Sequence, residues 1–138
     1  LALVISPGDR VFLEGEMGAG KTTFARSLLS GLGVVQPAEG SPSFAIAHEY
    51  RSPRTDVVHI DFYRLKSEVE IQDAGIDTYF WERPQSIIIC EWISLFPALE
   101  QSVQKVQSVW RVKLENKGSR IDARNIEITK PARSNQGS

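Results

Sequence analysis

Gly15-Glu16-Met17-Gly18-Ala19-Gly20-Lys21-Thr22 is the stretch whose reading decides the fold. Before it runs Arg10-Val11-Phe12-Leu13-Glu14, a short apolar strand launched from the turn Pro7-Gly8-Asp9. After it comes a helical pattern from about Lys21 to Ser30, with Phe24, Leu28, Leu29 and Leu32 on one stripe and Gly31 and Gly33 at its end. The octapeptide satisfies G-x-x-x-x-G-K-S/T at every fixed position, in the strand, loop and helix context that gives the pattern meaning. Glycines let successive backbone N–H groups curl around an anion with no Cβ in the way. The helix behind them adds unsatisfied N–H groups and the positive end of its dipole. A lysine at position 21 reaches the outer phosphates, and a threonine hydroxyl at 22 suits Mg²⁺. The stretch therefore reads as a nucleoside-triphosphate site, with Glu16, Met17, Gly18, Ala19, Gly20, Lys21, Thr22 and Thr23 around the phosphates. It predicts an α/β fold of the P-loop NTPase kind, a central, mostly parallel sheet flanked by helices.

Moving outward, residues 34–42 read as an irregular loop, and Phe44 to Tyr50 and Asp56 to Asp61 as strands joined by a turn at Arg51–Arg54. Lys66 to Asp73 reads as a short helix with Val69 facing inward, and Ser86 to Cys90 as a strand buried on both faces. Val109 to Glu115 and Arg124 to Thr129 form an antiparallel hairpin around Asn116-Lys117-Gly118, and residues 130–138 a frayed, disordered tail. Residues 1–138 read as one domain.

A metal–phosphate centre needs carboxylates beyond the ends of parallel strands. Asp61 ends Val57-Val58-His59-Ile60-Asp61, and Glu91 ends Ile87-Ile88-Ile89-Cys90-Glu91. Either can anchor Mg²⁺, directly or through water, or orient an attacking water. Ser41-Pro42-Ser43-Phe44 lies where switch-type loops place a hydroxyl that senses a γ-phosphate. His48 and His59 are spaced like neither a zinc pair nor a catalytic triad and read as strand residues. Cys90 reads as a small core residue. Trp81 and Trp92 suit the core, and Trp92, next to Glu91, is the better placed to line a pocket. No D-x-x-G follows, and the only Asn-Lys pair, Asn116-Lys117, continues as Gly118-Ser119, so ATP is favoured over GTP.

The chain has 138 residues, with 16 Lys and Arg against 17 Asp and Glu, a net charge of −1. That balance disfavours a broadly basic nucleic-acid-binding domain. The longest apolar run, Ile87 to Cys90, is far too short to span a membrane. A lone Cys90 excludes an internal disulfide framework and suits a reducing compartment such as the cytoplasm. Opening on Leu1 with no charged leader, the chain reads as a trimmed piece rather than one carrying a signal peptide. The near-neutral total is a cancellation. Residues 1–100 hold 8 basic and 14 acidic side chains, a net −6, and residues 101–138 hold 8 and 3, a net +5. The basic hairpin reads either as a solvated edge that blunts strand pairing or as a docking surface for an acidic partner or nucleic-acid phosphates.

Taken together, Gly15 to Thr23, Ser41-Pro42-Ser43-Phe44, His59-Ile60-Asp61-Phe62-Tyr63-Arg64-Leu65 and Glu91-Trp92 resemble the bacterial TsaE-type P-loop ATPases. The likeness runs from about Pro7 to Pro97. The loop is generic to many ATPases, whereas the His-x-Asp-x-Tyr-Arg-Leu segment followed by Glu-Trp is specific. Departures are small: the family more often has Leu at Met17, Thr at Ser43 and Pro at Ile93, and most of its opening helix is missing before Leu1. The resemblance implies an ATPase subunit in the synthesis of threonylcarbamoyladenosine in tRNA. It would work with a two-protein threonylcarbamoyl transferase complex, which its ATP cycle resets between turnovers, and touch tRNA only indirectly or weakly. It also implies that Thr22 and Glu91 hold Mg²⁺, that Lys21 clamps the phosphates of ATP or ADP, and that Asp61 orients water or assists the metal. Ser43 and Trp92 would lie near the nucleotide.

Hydrolysis at such sites is slow without an arginine that meets the developing charge, so weak activity alone and stimulation by the partners is expected. Arg64 and Arg83 are both possible internal sources of that charge, and no spacing rule separates them. Two other readings stand beside this one. The first is a nucleotide-gated binding module with incidental hydrolysis. The second is a small-molecule kinase, disfavoured because the sequence shows neither an arginine-rich lid nor an acceptor pocket.

Overall fold

The computed structural model describes residues 1–34, 46–116 and 124–131. Strand β1 (Arg10–Glu14) runs through the glycine loop into helix α1 (Lys21–Gly31). Strands β2 (Ala47–Arg51) and β3 (Asp56–Asp61) follow, then helices α2 (Glu68–Asp73) and α3 (Thr78–Glu82), strand β4 (Ile87–Glu91) and helix α4 (Pro97–Val106). Strands β5 (Val109–Asn116) and β6 (Arg124–Thr129) complete one six-stranded sheet in the order β2-β3-β4-β1-β5-β6. The four inner strands are parallel, while β2 and β6 pair antiparallel at the two edges. The P-loop NTPase-like architecture with its C-terminal hairpin is as the sequence predicts.

Side-chain alternation divides the core into two layers. Val11, Leu13, Val57, Ile87, Ile89, Val112 and Leu114 face α1, which buries Ala25, Leu28 and Leu29 against them. Phe12, Val58, Ile60, Ile88 and Cys90 face the opposite layer, supplied by Phe62, Ile71, Phe80, Ile93, Phe96 and Val103. The same parity decides the site. Odd-numbered positions of β3 and β4 point toward α1, so His59, Asp61 and Glu91 share the face that carries the glycine loop.

At the start of β1, Arg10 is 1% exposed, and all three of its guanidinium nitrogens donate hydrogen bonds. It donates to the carbonyls of Ser86 at 2.7 Å, Phe80 at 3.0 Å and Arg83 at 3.3 Å, and to Gln107 Oε1 at 2.5 Å. Gln107 in turn donates to the Phe80 carbonyl at 2.9 Å. This one guanidinium ties α3, the entry to β4 and the exit of α4 to the central strand. Among the described residues no buried side-chain polar atom lacks a partner.

Several sequence expectations are corrected. Val69 is 65% exposed, and Ile71 is the residue of α2 that enters the core. The Ser67 side chain accepts from the Glu70 N–H and so starts the helix at Glu68, setting which face turns inward. Trp81 is 46% exposed rather than core, because the five-residue α3 buries only Phe80. Helices α3 and α4 had no counterpart in the sequence reading. Strand β4 starts at Ile87 and includes Glu91. Cys90 lies fully buried in the core as expected, and burial pushes its thiol well above the ordinary range. Ser41 to Phe44, the turn at Lys117-Gly118 and residues 132–138 lie outside the described residues. Among the described residues no helix is long and apolar enough to cross a membrane.

Candidate functional site: a phosphate loop facing paired acids

The loop's backbone requires its glycines. Gly15, Gly18 and Gly20 have φ of 150°, 84° and 100°, a region that L side chains rarely adopt. A Cβ on Gly15 would meet the Leu114 carbonyl oxygen at 2.5 Å, whereas one on Gly18 would meet nothing within 4 Å. The first glycine therefore lets the loop pack against β5, and a Cβ on the second would stand in open space. Ala19 is buried beneath the loop, while Glu16, Met17, Thr22 and Thr23 are exposed along it.

Lys21 is 5% exposed at the first position of α1. Its ammonium donates to the carbonyls of Gly15 at 2.5 Å and Glu16 at 2.9 Å and lies 4.1 Å from the centroid of the Trp92 ring. Burial lowers its pKa, and the charges of Glu91, Asp61 and Glu16 only partly offset that. Trp92 achieves its position with φ 66°, the sole positive φ of a non-glycine among the described residues. Such a conformation costs about 1–3 kcal/mol and persists only where surroundings enforce it. Tyr63 helps enforce it, its ring centroid standing 5.0 Å from that of Trp92.

Glu91 is 3% exposed, and both its oxygens are engaged. Oε1 accepts from the Thr22 hydroxyl at 3.0 Å, and Oε2 pairs with His59 Nε2 at 2.7 Å. Burial alone would raise its pKa, but the bonds from His59 and Thr22 and the charge of Lys21 outweigh burial and hold the carboxyl below its ordinary value. Asp61 stands in register with Glu91 on the neighbouring strand. Burial raises its pKa, the Tyr63 N–H at 3.1 Å opposes that, and Glu91 adds to the rise. Two nearby carboxylates are thus driven in opposite directions, which leaves one firmly ionised and the other the easier to protonate.

Thr22, His59, Asp61 and Glu91 line a cavity of about 450 Å³ together with Arg26, His48, Tyr50 and Arg64. A second cavity of about 340 Å³ lies on the other side of the loop, between Gly15, Glu16 and Ala19 and the β5 residues Lys113, Leu114 and Glu115. The acids and Thr22 form one wall of the first cavity. Among the described residues no three His, Cys, Asp or Glu side chains converge as a metal cage. The donor set is instead one hydroxyl and two carboxylates, hard oxygens of the kind Mg²⁺ uses when phosphates and water complete its shell. The residues fit that ion and a polyphosphate.

The structure brings Lys21, Thr22, Asp61, Glu91 and Trp92 together, and Ser43 lies outside the described residues. Sequence reasoning missed His59, set aside on spacing to other histidines. The signal that finds it is strand parity: His59 lies two residues before Asp61 on the same face, one strand from Glu91.

Comparison with known proteins agrees with this geometry. The family model described as threonylcarbamoyl adenosine biosynthesis protein TsaE matches residues 1–126. The tRNA threonylcarbamoyladenosine biosynthesis protein TsaE of Bacillus subtilis strain 168 is 37% identical over 128 residues, covering 93% of this chain and 73% of the relative. The protein of the same name from Streptomyces coelicolor is 42% identical over 95 residues, covering 67% of this chain and 62% of its own length. A crystal structure of YdiB from Bacillus subtilis superposes with a TM-score of 0.67 at 30% identity, covering 95% of this chain and 74% of that one. With loop, acids and topology in agreement with a match over residues 1–126, the chain belongs to the TsaE family.

Proposed function

We propose that this chain is a Mg²⁺-dependent ATP-binding and ATP-hydrolysing subunit of the machinery that makes threonylcarbamoyladenosine in tRNA. In this reading its ATP cycle resets a two-protein threonylcarbamoyl transferase complex. Family membership supports the pathway, since its relatives carry that name. The observation that carries the chemistry is the buried Glu91, held by Thr22 on one oxygen and His59 on the other at the mouth of the glycine loop.

In this reading the backbone N–H groups of residues 16–22 bind the phosphates, and Lys21 exchanges its two loop carbonyls for phosphate oxygens. Thr22 and Glu91 hold Mg²⁺, with Asp61 assisting the metal or orienting water. A Mg²⁺ held there would supply neutralisation of phosphate charge. Trp92 covers the Lys21 ammonium and keeps water from it. The nucleoside occupies the cavity between the loop and β5. The 450 Å³ cavity on the other side receives the γ-phosphate and the attacking water. As a partner of the transferase, the chain would act in the cytoplasm, with tRNA contact indirect or weak.

The test is co-purification with the two-protein transferase with and without ATP, followed by an ATPase assay. Nucleotide-dependent association and a rate stimulated by the complex are expected. No association in any nucleotide state would overturn the coupling. Persistence of tRNA modification in a reconstituted system with an Asp61→Asn chain that no longer hydrolyses ATP would favour a nucleotide-gated binding module.

A further inference from the structure

The site as described has acids, a hydroxyl and a lysine, but no assigned positive charge on the side where the γ-phosphoryl group would leave. Two arginines of the sequence were equivalent candidates, and the structure separates them. Arg83 gives its two terminal nitrogens to Glu49, at 3.0 and 3.3 Å, and its guanidinium lies 4.8 Å from the Tyr79 ring. It takes no part in the cavity beside the acids. Arg64 closes the 3₁₀ turn Phe62–Arg64 that Asp61 caps, and it lines the cavity together with Thr22, Asp61 and Glu91.

A third arginine, Arg26, stands one turn beyond Thr22 on α1 and lines the same cavity. Its charge acts on Tyr50, toward the β2 side. That of Arg64 acts on Asp61 and on His48. Arg64 ends the turn that Asp61 caps and shares its cavity, which places it nearer in chain than Arg26 to the carboxylate proposed to face the attacking water. Arg64 is also exposed at the cavity wall, on the same side as the acids.

We propose that Arg64 is a catalytic residue, supplied within the chain, whose guanidinium stabilises the charge on the γ-phosphoryl group during hydrolysis. The proposal rests on reading the site as an ATPase. In the step it serves, a water oxygen bonds to the γ-phosphorus while the bond from that phosphorus to the bridging oxygen breaks. The electron pair stays on ADP, and the water's proton leaves on a phosphoryl oxygen as inorganic phosphate departs. Charge builds on the equatorial and bridging oxygens, and a forked cation meets it best. An arginine in this role is worth about 10³–10⁵ in rate.

The experiment compares wild type with Arg64→Ala, Arg64→Lys, Arg26→Ala and Arg83→Ala. Two quantities are read: binding of Mg·ADP alone and of Mg·ADP with aluminium fluoride, and ATP turnover in the presence of the transferase complex. The expected result is that Arg64→Ala binds Mg·ADP as wild type does, loses the added affinity for the aluminium fluoride complex, and turns over about 10³-fold more slowly. Arg64→Lys recovers part of both, and Arg83→Ala changes neither. Retention of aluminium fluoride binding by Arg64→Ala would overturn the proposal. So would loss of plain Mg·ADP binding, which would make Arg64 a ground-state contact, or the same defect appearing in Arg26→Ala instead. A wild-type chain that binds no Mg·ADP would overturn the ATPase reading itself, and the proposal with it.

Discussion

Arg10 and Lys21 lie at opposite ends of one strand–loop unit, both basic, both nearly without solvent exposure and both bonded to main-chain carbonyls. Burial depresses the pKa of each. The difference is in what holds them. Arg10 donates to three carbonyls and a glutamine on three separate elements, and it packs 5.9 Å from the Phe80 ring. Lys21 donates only to two carbonyls of its own loop and rests under an indole held in a strained conformation. One cation joins distant parts of the chain, so its bonds are long-range and cannot be exchanged without unfolding. The other makes local bonds that an anion in the loop can replace at little cost. Two basic groups of similarly low exposure thus divide, by the sequence distance of their partners, into a structural clamp and the group proposed to bind ligand.

The comparison breaks most sharply at its two namesakes. Arg10→Ala strands three carbonyls and opens a cavity, and should lower stability by about 3–5 kcal/mol. Lys21→Ala, which releases only local bonds, should cost clearly less stability than Arg10→Ala while removing nucleotide affinity. Chemical denaturation and nucleotide titration on both variants read the two effects, and similar destabilisation by the two would erase the distinction. Next in size is Gly15→Ala, which places a Cβ 2.5 Å from the Leu114 carbonyl oxygen. A loss of about 1–3 kcal/mol is expected from strain at a special backbone conformation, together with weakened binding. Gly18→Ala, with open space around it, should lose less stability for a similar backbone penalty.

Smaller effects sharpen the picture at the acids. Because the folded pKa of Asp61 is raised, its contribution favours folding below the ordinary aspartate range and is lost as pH rises through the folded value. Asp61→Asn should therefore melt higher than wild type at neutral pH, with the gap closing as pH falls, while hydrolysis is lost. Glu91 has the opposite sign. Its folded pKa is lowered, so its stabilisation is present above the ordinary glutamate value and disappears as pH falls through the folded one. Glu91→Gln should accordingly flatten the acid limb of the stability curve. Thermal melts across pH measure both, and shifts of the same sign would contradict the opposed environments. The smallest effect belongs to Arg83→Ala, whose half-exposed pair with Glu49 is worth under about 1 kcal/mol.

Why the sequence reveals one end of the molecule better than the other follows from the same contrast. The β1–loop–α1 unit, Asp61 and Glu91 were legible because glycine, lysine and strand-end acids leave local signals at fixed spacing. The Arg10 clamp was not, since its partners at Phe80, Arg83, Ser86 and Gln107 are 70 to 97 residues away and three are main-chain carbonyls. Helix α4 escaped because it buries Val103 and only partly Leu99, too sparse a stripe to show a 3.6-residue period. Val69 and Ile71 could exchange faces in a six-residue helix, where the cap at Ser67 and not the pattern fixes the outcome. His59 stayed hidden because its meaning depends on which strand lies next to β3, and strand order is a tertiary fact.

The central claim is that the loop, Lys21 and the Thr22–Glu91–His59 arrangement form a Mg·nucleotide site. Calorimetric titration of Mg·ADP into the wild-type chain and into Lys21→Ala tests it most directly. One-to-one binding by wild type, dependent on Mg²⁺ and absent in a Lys21→Ala chain that remains folded, is the predicted result. No binding by wild type, or equal binding by the two, would contradict it.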